Sequence, residues 1–208
     1  EGSNDDLGIG IGSYSVTAWV KYTDTDFMFI QSQSNTGQPF GTWNLFRIAS
    51  KLSKTYNLME QKLTKVFVSV REDQKQDDMR SQYPLISDIY TNLGPLAGIL
   101  SAMKKYPKVS WLVVACDLLN LDEETLSCLI ENFPSNSFFL AYKSENDGLP
   151  EPLCAIYSNE SLAIIEKNVA NNVKCPRKIL INSDTCLLSQ PNKSALENFN
   201  TPDDLMRT

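Results

Sequence analysis

Apolar positions along the chain follow two different periods. Unbroken apolar runs at Lys65–Val70 (KVFVSV), Leu85-Ile86, Trp111–Ala115 (WLVVA), Ser137–Tyr142, Leu153–Tyr157 and Thr185–Leu188 predict short strands. Phe27–Ile30 is a further short apolar run, and the glycine-rich Leu7–Ser15 (LGIGIGSYS) predicts a strand running into a loop. Between these runs the spacing becomes helical. After Trp43 the apolar residues fall at Leu45, Phe46, Ile48, Ala49 and Leu52, and Gly94-Pro95 opens a helix over Leu96–Met103. Asp122 predicts a helix cap with Leu126, Leu129 and Ile130 facing inward, and Leu162–Val169 and Cys175–Ile181 predict the last two helices. Gln31–Gly41, polar and carrying Gly37, Pro39 and Gly41, predicts a loop, and Pro150 and Pro152 are expected to precede the Leu153 strand. Strands and helices alternate from about residue 43 to 145, and the strands are apolar throughout. That predicts an α/β fold whose parallel sheet is covered by helices on both faces.

Composition narrows the chemistry more than the fold. The 208 residues include 25 acidic and 19 basic side chains, a net charge of −6, which argues against general binding of nucleic acid or of an anionic membrane. There is no histidine, so Ser-His-Asp and Cys-His catalysis and histidine-ligated zinc are excluded. The five cysteines (Cys116, Cys128, Cys154, Cys175, Cys186) contain no C-x-x-C pair, so neither a zinc ribbon nor a disulfide framework is expected. The longest nearly uncharged stretch, Phe133–Tyr142, is too short to span a bilayer, and the acidic opening Glu1–Asp6 is unlike a secretory signal. The cytoplasm is the expected compartment.

Ligands of parallel sheets sit beyond the carboxyl ends of the strands. This directs attention to Gly10–Ser15, Ser69–Glu72, Asp88 and Asp117. Asp117, directly after WLVVAC, reads either as a hard-oxygen ligand for magnesium or as a cap for the adjoining loop or helix. Gly94-Pro95-Leu96, after Asp88, reads as a backbone turn offering N–H groups to a phosphate or base, or as an ordinary loop-to-helix junction. Gly8, Gly10 and Gly12 fit neither phosphate-loop pattern in full. Arg71 and Arg177 are available as phosphate cations or as surface ion-pair partners, and Asn198 and Asn200 as ligand donors or as caps before Pro202.

Four segments occur in a telling order: Leu93–Leu100 (LGPLAGIL), Trp111–Asp117 (WLVVACD), Pro150–Tyr157 (PEPLCAIY) and Asn198–Leu205 (NFNTPDDL). Together they resemble the molybdenum cofactor guanylyltransferases, within the wider nucleotidyltransferase group, over roughly four-fifths of the chain. Cys175–Asp184 is similar to a version of the family found as the catalytic half of a longer protein. The resemblance implies one domain over residues 1–208, with 1–40 as a divergent N-terminal segment. It implies a three-layer α/β/α fold with a mostly parallel, Rossmann-like sheet of the nucleotide-diphospho-sugar transferase type. It implies magnesium-dependent transfer of GMP from GTP to molybdopterin. Asp117 then takes the metal and the catalytic role. Gly10, Gly12, Ser13, Ser69, Asp88, Gly94, Pro95 and Leu96 take the nucleotide, and Arg177, Asn198 and Asn200 take the substrate. Other cofactor-assembly proteins or a fused domain are the implied protein partners. The opening departs from the family signature L-A-G-G-x-S-x-R-M-G-x-D-K. Asp26 matches its aspartate, Phe27 stands in the lysine's place, and Lys21 is the only cation in the segment. Ser69 stands where the family commonly has asparagine. A catalytically degenerate binding module, or a transferase using CTP or another acceptor, therefore stays open as an alternative.

Overall fold

A computed structural model describes residues 28–31, 52–63, 65–76, 78, 80–118 and 120–197. Seven strands form one sheet: β1 (Met28–Gln31), β2 (Val66–Val70), β3 (Leu85–Ser87), β4 (Trp111–Ala115), β5 (Phe139–Lys143), β6 (Pro150–Tyr157) and β7 (Thr185–Leu188). Their order is β3-β2-β1-β4-β6-β5-β7. The helices are α1 (residues 52–60), α2 (Pro95–Lys105), α3 (Glu123–Glu131), α4 (Leu162–Ala170) and α5 (Pro176–Ile181). No helix among the described residues is long and apolar enough to cross a membrane.

The unbroken apolar strands are explained by two cores, one on each face. In β4 all five residues are buried, and their alternation sorts them between layers. Leu112 and Val114 join a cluster with Leu52, Tyr56 and Met59 of α1 and Leu126 and Leu129 of α3. Trp111 and Val113 join the opposite cluster, with Leu96, Ile99 and Leu100 of α2, Ile165 of α4 and Ile179 and Leu180 of α5. The result is the expected three-layer α/β/α arrangement. Asp122 caps α3 as its residue type predicts, its carboxylate accepting the Thr125 N–H at 2.8 Å.

The sheet is mostly parallel, as the resemblance implies; the fully parallel sheet that the apolar strands alone suggest is interrupted by β6, which runs antiparallel to both β4 and β5 while every other pairing is parallel. Pro150 and Pro152 lie inside β6 rather than before it. The paired register with β4 reaches only Cys154, and the ladder with β5 is irregular between Ala141 and Lys143. The prolines thus occupy a stretch where few ladder hydrogen bonds are required of them.

Candidate active site

β1, β2, β3 and β4 run in one direction, so their carboxyl ends share a rim. The register aligns them there: Gln31 pairs with Ser69 and with Ala115, and Ser69 pairs with Ile86. Asp117 stands two residues past β4, half-buried after the buried Cys116. Asp88 comes directly after β3. Three strand spacings separate β3 from β4, about 14 Å. The two acids therefore stand past the ends of β3 and β4 on the same rim, about 14 Å apart by strand spacing.

At the β3 end, Asp88 is fixed from two directions. Its N–H donates to the Val70 carbonyl at 2.8 Å, and the buried Ser69 hydroxyl donates to its Oδ1 at 2.8 Å. Burial pushes the Asp88 carboxyl up to about 6, against the Ser69 hydrogen bond and the Arg71 charge, which both pull it down. In the unfolded chain the group ionises near pH 3.9, as ordinary aspartate does. A raised folded value means that this side chain stabilises the fold fully below about pH 4 and loses that contribution as pH rises through 6. Asp88→Asn, uncharged throughout, is therefore expected to be more stable than wild type at pH 8, by on the order of 2 kcal/mol. The gain should shrink towards zero at pH 4. Denaturant titrations at pH 4, 6 and 8 measure this, and a pH-independent difference contradicts it.

Next along the chain is the turn into α2. Gly94 adopts φ 54°, ψ −139°, a conformation that disfavours any side chain, and Asn92 also has positive φ. Pro95 occupies the first helical turn. The Leu96 N–H is taken by the Leu93 carbonyl at 3.2 Å and the Ala97 N–H by the Gly94 carbonyl at 3.0 Å. The Pro95 and Leu96 side chains are buried, and Gly94 is the exposed part of the motif. The open helix-start donors that the motif suggests are thus spent within the turn.

On the other side of Asp117, the reversed β6 begins at the rim instead of ending there. Glu151 lies in the first part of β6, before the stretch from Cys154 that pairs with β4. Arg177, near the start of α5, reaches this corner. Its guanidinium meets Glu151 at 2.8 Å and Asp147 of the β5–β6 connection at 3.0 Å. Arg177 therefore stands at the rim with its charge shared between two carboxylates, neither of which stood out in the sequence. Arg71 likewise donates through Nε and Nη2 to Asp73, at 3.0 and 2.9 Å. After β7 the chain returns along the same rim: Gln190 donates to the Lys143 carbonyl and Asn192 to the Asp122 carboxylate, each at 2.8 Å. Gly10, Gly12, Ser13, Asn198 and Asn200 lie outside the described residues.

Among the described residues no group of three or more acidic, cysteine or histidine side chains could hold a metal. The rim carboxylate of Asp117 suits an ion of the magnesium kind, which takes one or two protein carboxylates and fills its remaining positions with water and phosphate oxygens.

Residues 49–185 match the family described as the MobA-like NTP transferase domain. The chain is 31 % identical over 168 residues to a Synechocystis protein named "Molybdenum cofactor biosynthesis bifunctional protein", an alignment covering 81 % of this chain and 45 % of that one. It is 27 % identical over 184 residues to a Methanocaldococcus jannaschii protein named "Probable molybdenum cofactor guanylyltransferase", covering 81 % of this chain and 88 % of that one. The chain spans less than half the length of the Synechocystis relative. Among solved structures, an Aquifex aeolicus protein superposes with a TM-score of 0.64 at 20 % identity, covering 80 % of this chain and 89 % of that one. The molybdopterin-guanine dinucleotide biosynthesis protein A of Archaeoglobus fulgidus superposes with a TM-score of 0.56 at 24 % identity, covering 68 % and 75 %. Both agree with the three-layer fold.

Proposed function

The chain belongs to the MobA-like NTP transferase family, a family of nucleotidyltransferases, and from that membership we propose that it transfers GMP from GTP to the terminal phosphate of molybdopterin, with Mg2+ as the metal. An oxygen of the acceptor phosphate attacks the α-phosphorus of GTP. The bond to the β-phosphate breaks, and pyrophosphate leaves. What supports the reading is that Ser69, Asp88 and Asp117 stand at or just past the carboxyl ends of parallel strands. In this reading Asp88, with Ser69 behind it, meets the nucleoside, and the exposed Gly94 backbone lets the ligand approach closely. Asp117 holds the metal, which supplies positive charge to the phosphates. Arg177 serves the acceptor side, exchanging a carboxylate for a phosphate oxygen, with Asn198 and Asn200 of the tail motif as its companions. Gly10, Gly12 and Ser13 are the proposed remnant of the triphosphate loop. Transfer between phosphates needs alignment and charge neutralisation more than a covalent nucleophile, so a chain without histidine suffers no handicap.

The test is direct. Incubated with Mg2+, GTP and molybdopterin, the protein is expected to release pyrophosphate and form the guanine dinucleotide. A parallel series with CTP, UTP and ATP reads base choice. Turnover with CTP alone replaces the guanylyl assignment by a cytidylyl one. Silence towards all four nucleotides, in binding and in turnover, leaves a non-catalytic module of the same fold.

A further inference from the structure

The geometry points to Ser101, inside α2, as a positioning residue for Asp88 at the β3 end of the rim, an inference that rests on the nucleotide-binding reading of Asp88. Ser101 is 2 % exposed, a polar side chain amid the apolar residues that α2 turns towards the sheet. Its hydroxyl donates to the Ala97 carbonyl at 2.6 Å, which aims the oxygen's lone pairs outward from the helix. There it accepts the N–H of Ile89 at 2.8 Å.

That single contact ties the peptide joining Asp88 and Ile89 to the helix. The Ile89 side chain, 66 % exposed, adds little to that tie. Further along the loop, Asn92 before the buried Leu93 and Gly94 after it both adopt positive φ, so the backbone turns sharply on either side of that anchor. Asp88 is therefore bracketed. Its own N–H is held by β2, the next N–H is held by α2, and its carboxylate is steered by Ser69. Removing the middle anchor lets the Asp88–Leu93 segment leave the binding geometry for part of the time. Apparent nucleotide affinity then falls in proportion to the time spent away. The chemical step at Asp117, past β4 and about 14 Å off by strand spacing, is untouched.

Ser101→Ala tests this with little risk to folding, since alanine is the best helix former and only one oxygen is removed. The expected result is a KM for GTP raised about five- to ten-fold, the range of one lost backbone hydrogen bond, with kcat within two-fold of wild type. Ser101→Thr keeps a hydroxyl at the same place and is expected to restore most of the affinity. Hydrogen exchange at the Ile89 amide should accelerate in the alanine variant and stay slow in the threonine variant. An unchanged KM in Ser101→Ala, in an enzyme whose wild type binds GTP, overturns the positioning role alone. So does a fall in kcat at constant KM. A wild type that binds no nucleotide overturns both this role and the reading it rests on.

Discussion

Asp117→Asn is expected to lower kcat for nucleotidyl transfer by about 10²–10³-fold, the loss seen when one preorganised electrostatic group is removed from a transition state. The substitution keeps the shape of the side chain and one oxygen, and discards the charge. Among the described residues no group of three or more acidic, cysteine or histidine side chains could hold a metal, and the Glu151 carboxylate is engaged by Arg177. The backbone has little freedom to compensate, because all five residues of the preceding strand are buried between the two cores. Pyrophosphate release measured across a Mg2+ titration separates the causes. A metal role predicts partial recovery at high Mg2+ and a nearly unchanged melting temperature. Wild-type activity in Asp117→Asn would remove the carboxylate from the mechanism.

Trp111→Ala should have the largest effect on stability, a loss of about 3–5 kcal/mol. Trp111 is fully buried at the start of the same strand, with its ring 6.0 Å from that of Tyr106, which in turn lies 5.5 Å from Phe67. The truncation opens a cavity between the sheet and α2 that neighbouring strands, closed on both faces, cannot collapse to fill. In a domain of this length each kcal/mol moves the melting temperature by roughly 2–4 °C. Urea denaturation of Trp111→Ala beside Ile89→Ala gives the contrast. The exposed Ile89 change should lie within about 0.5 kcal/mol of wild type. A Trp111→Ala loss below about 1 kcal/mol would mean that the two-sided core is looser than its burial implies.

The features legible in the sequence are the local ones. WLVVA reads as a buried strand because five consecutive apolar residues can satisfy two cores at once, and Asp122 reads as a cap because its carboxylate acts on an N–H three residues away. The rim acids Asp88 and Asp117 were legible by the same logic, each standing just past an apolar run. The direction of β6 was not. An antiparallel strand between parallel neighbours carries no distinctive pattern when both of its faces are buried, and Pro150 and Pro152 disguised its first half as a loop. Phe27–Ile30 was visible as an apolar run, but its place at the centre of the sheet as β1 depends on pairing with residues 66 and 113, far along the chain. The Arg177 bridges span 30 and 26 positions and leave no trace in composition. Ser101 did leave a signal, a lone hydroxyl in the run PLAGILSAM, though its partner Ile89 cannot be guessed from it.

The reversal of β6 gives the rim two kinds of construction. On the Asp88 side each contributing residue ends a strand and leads into a turn or helix that returns to the core. On the Arg177 side the rim is a hairpin, closed by Ser144 and Leu149 and turned at Gly148, where φ is +71° and no atom crowds the Cβ position. A hairpin tip can lengthen or change its residues without moving the strands that hold it. Evolution, or a designer, can thus retailor one end of the rim in isolation.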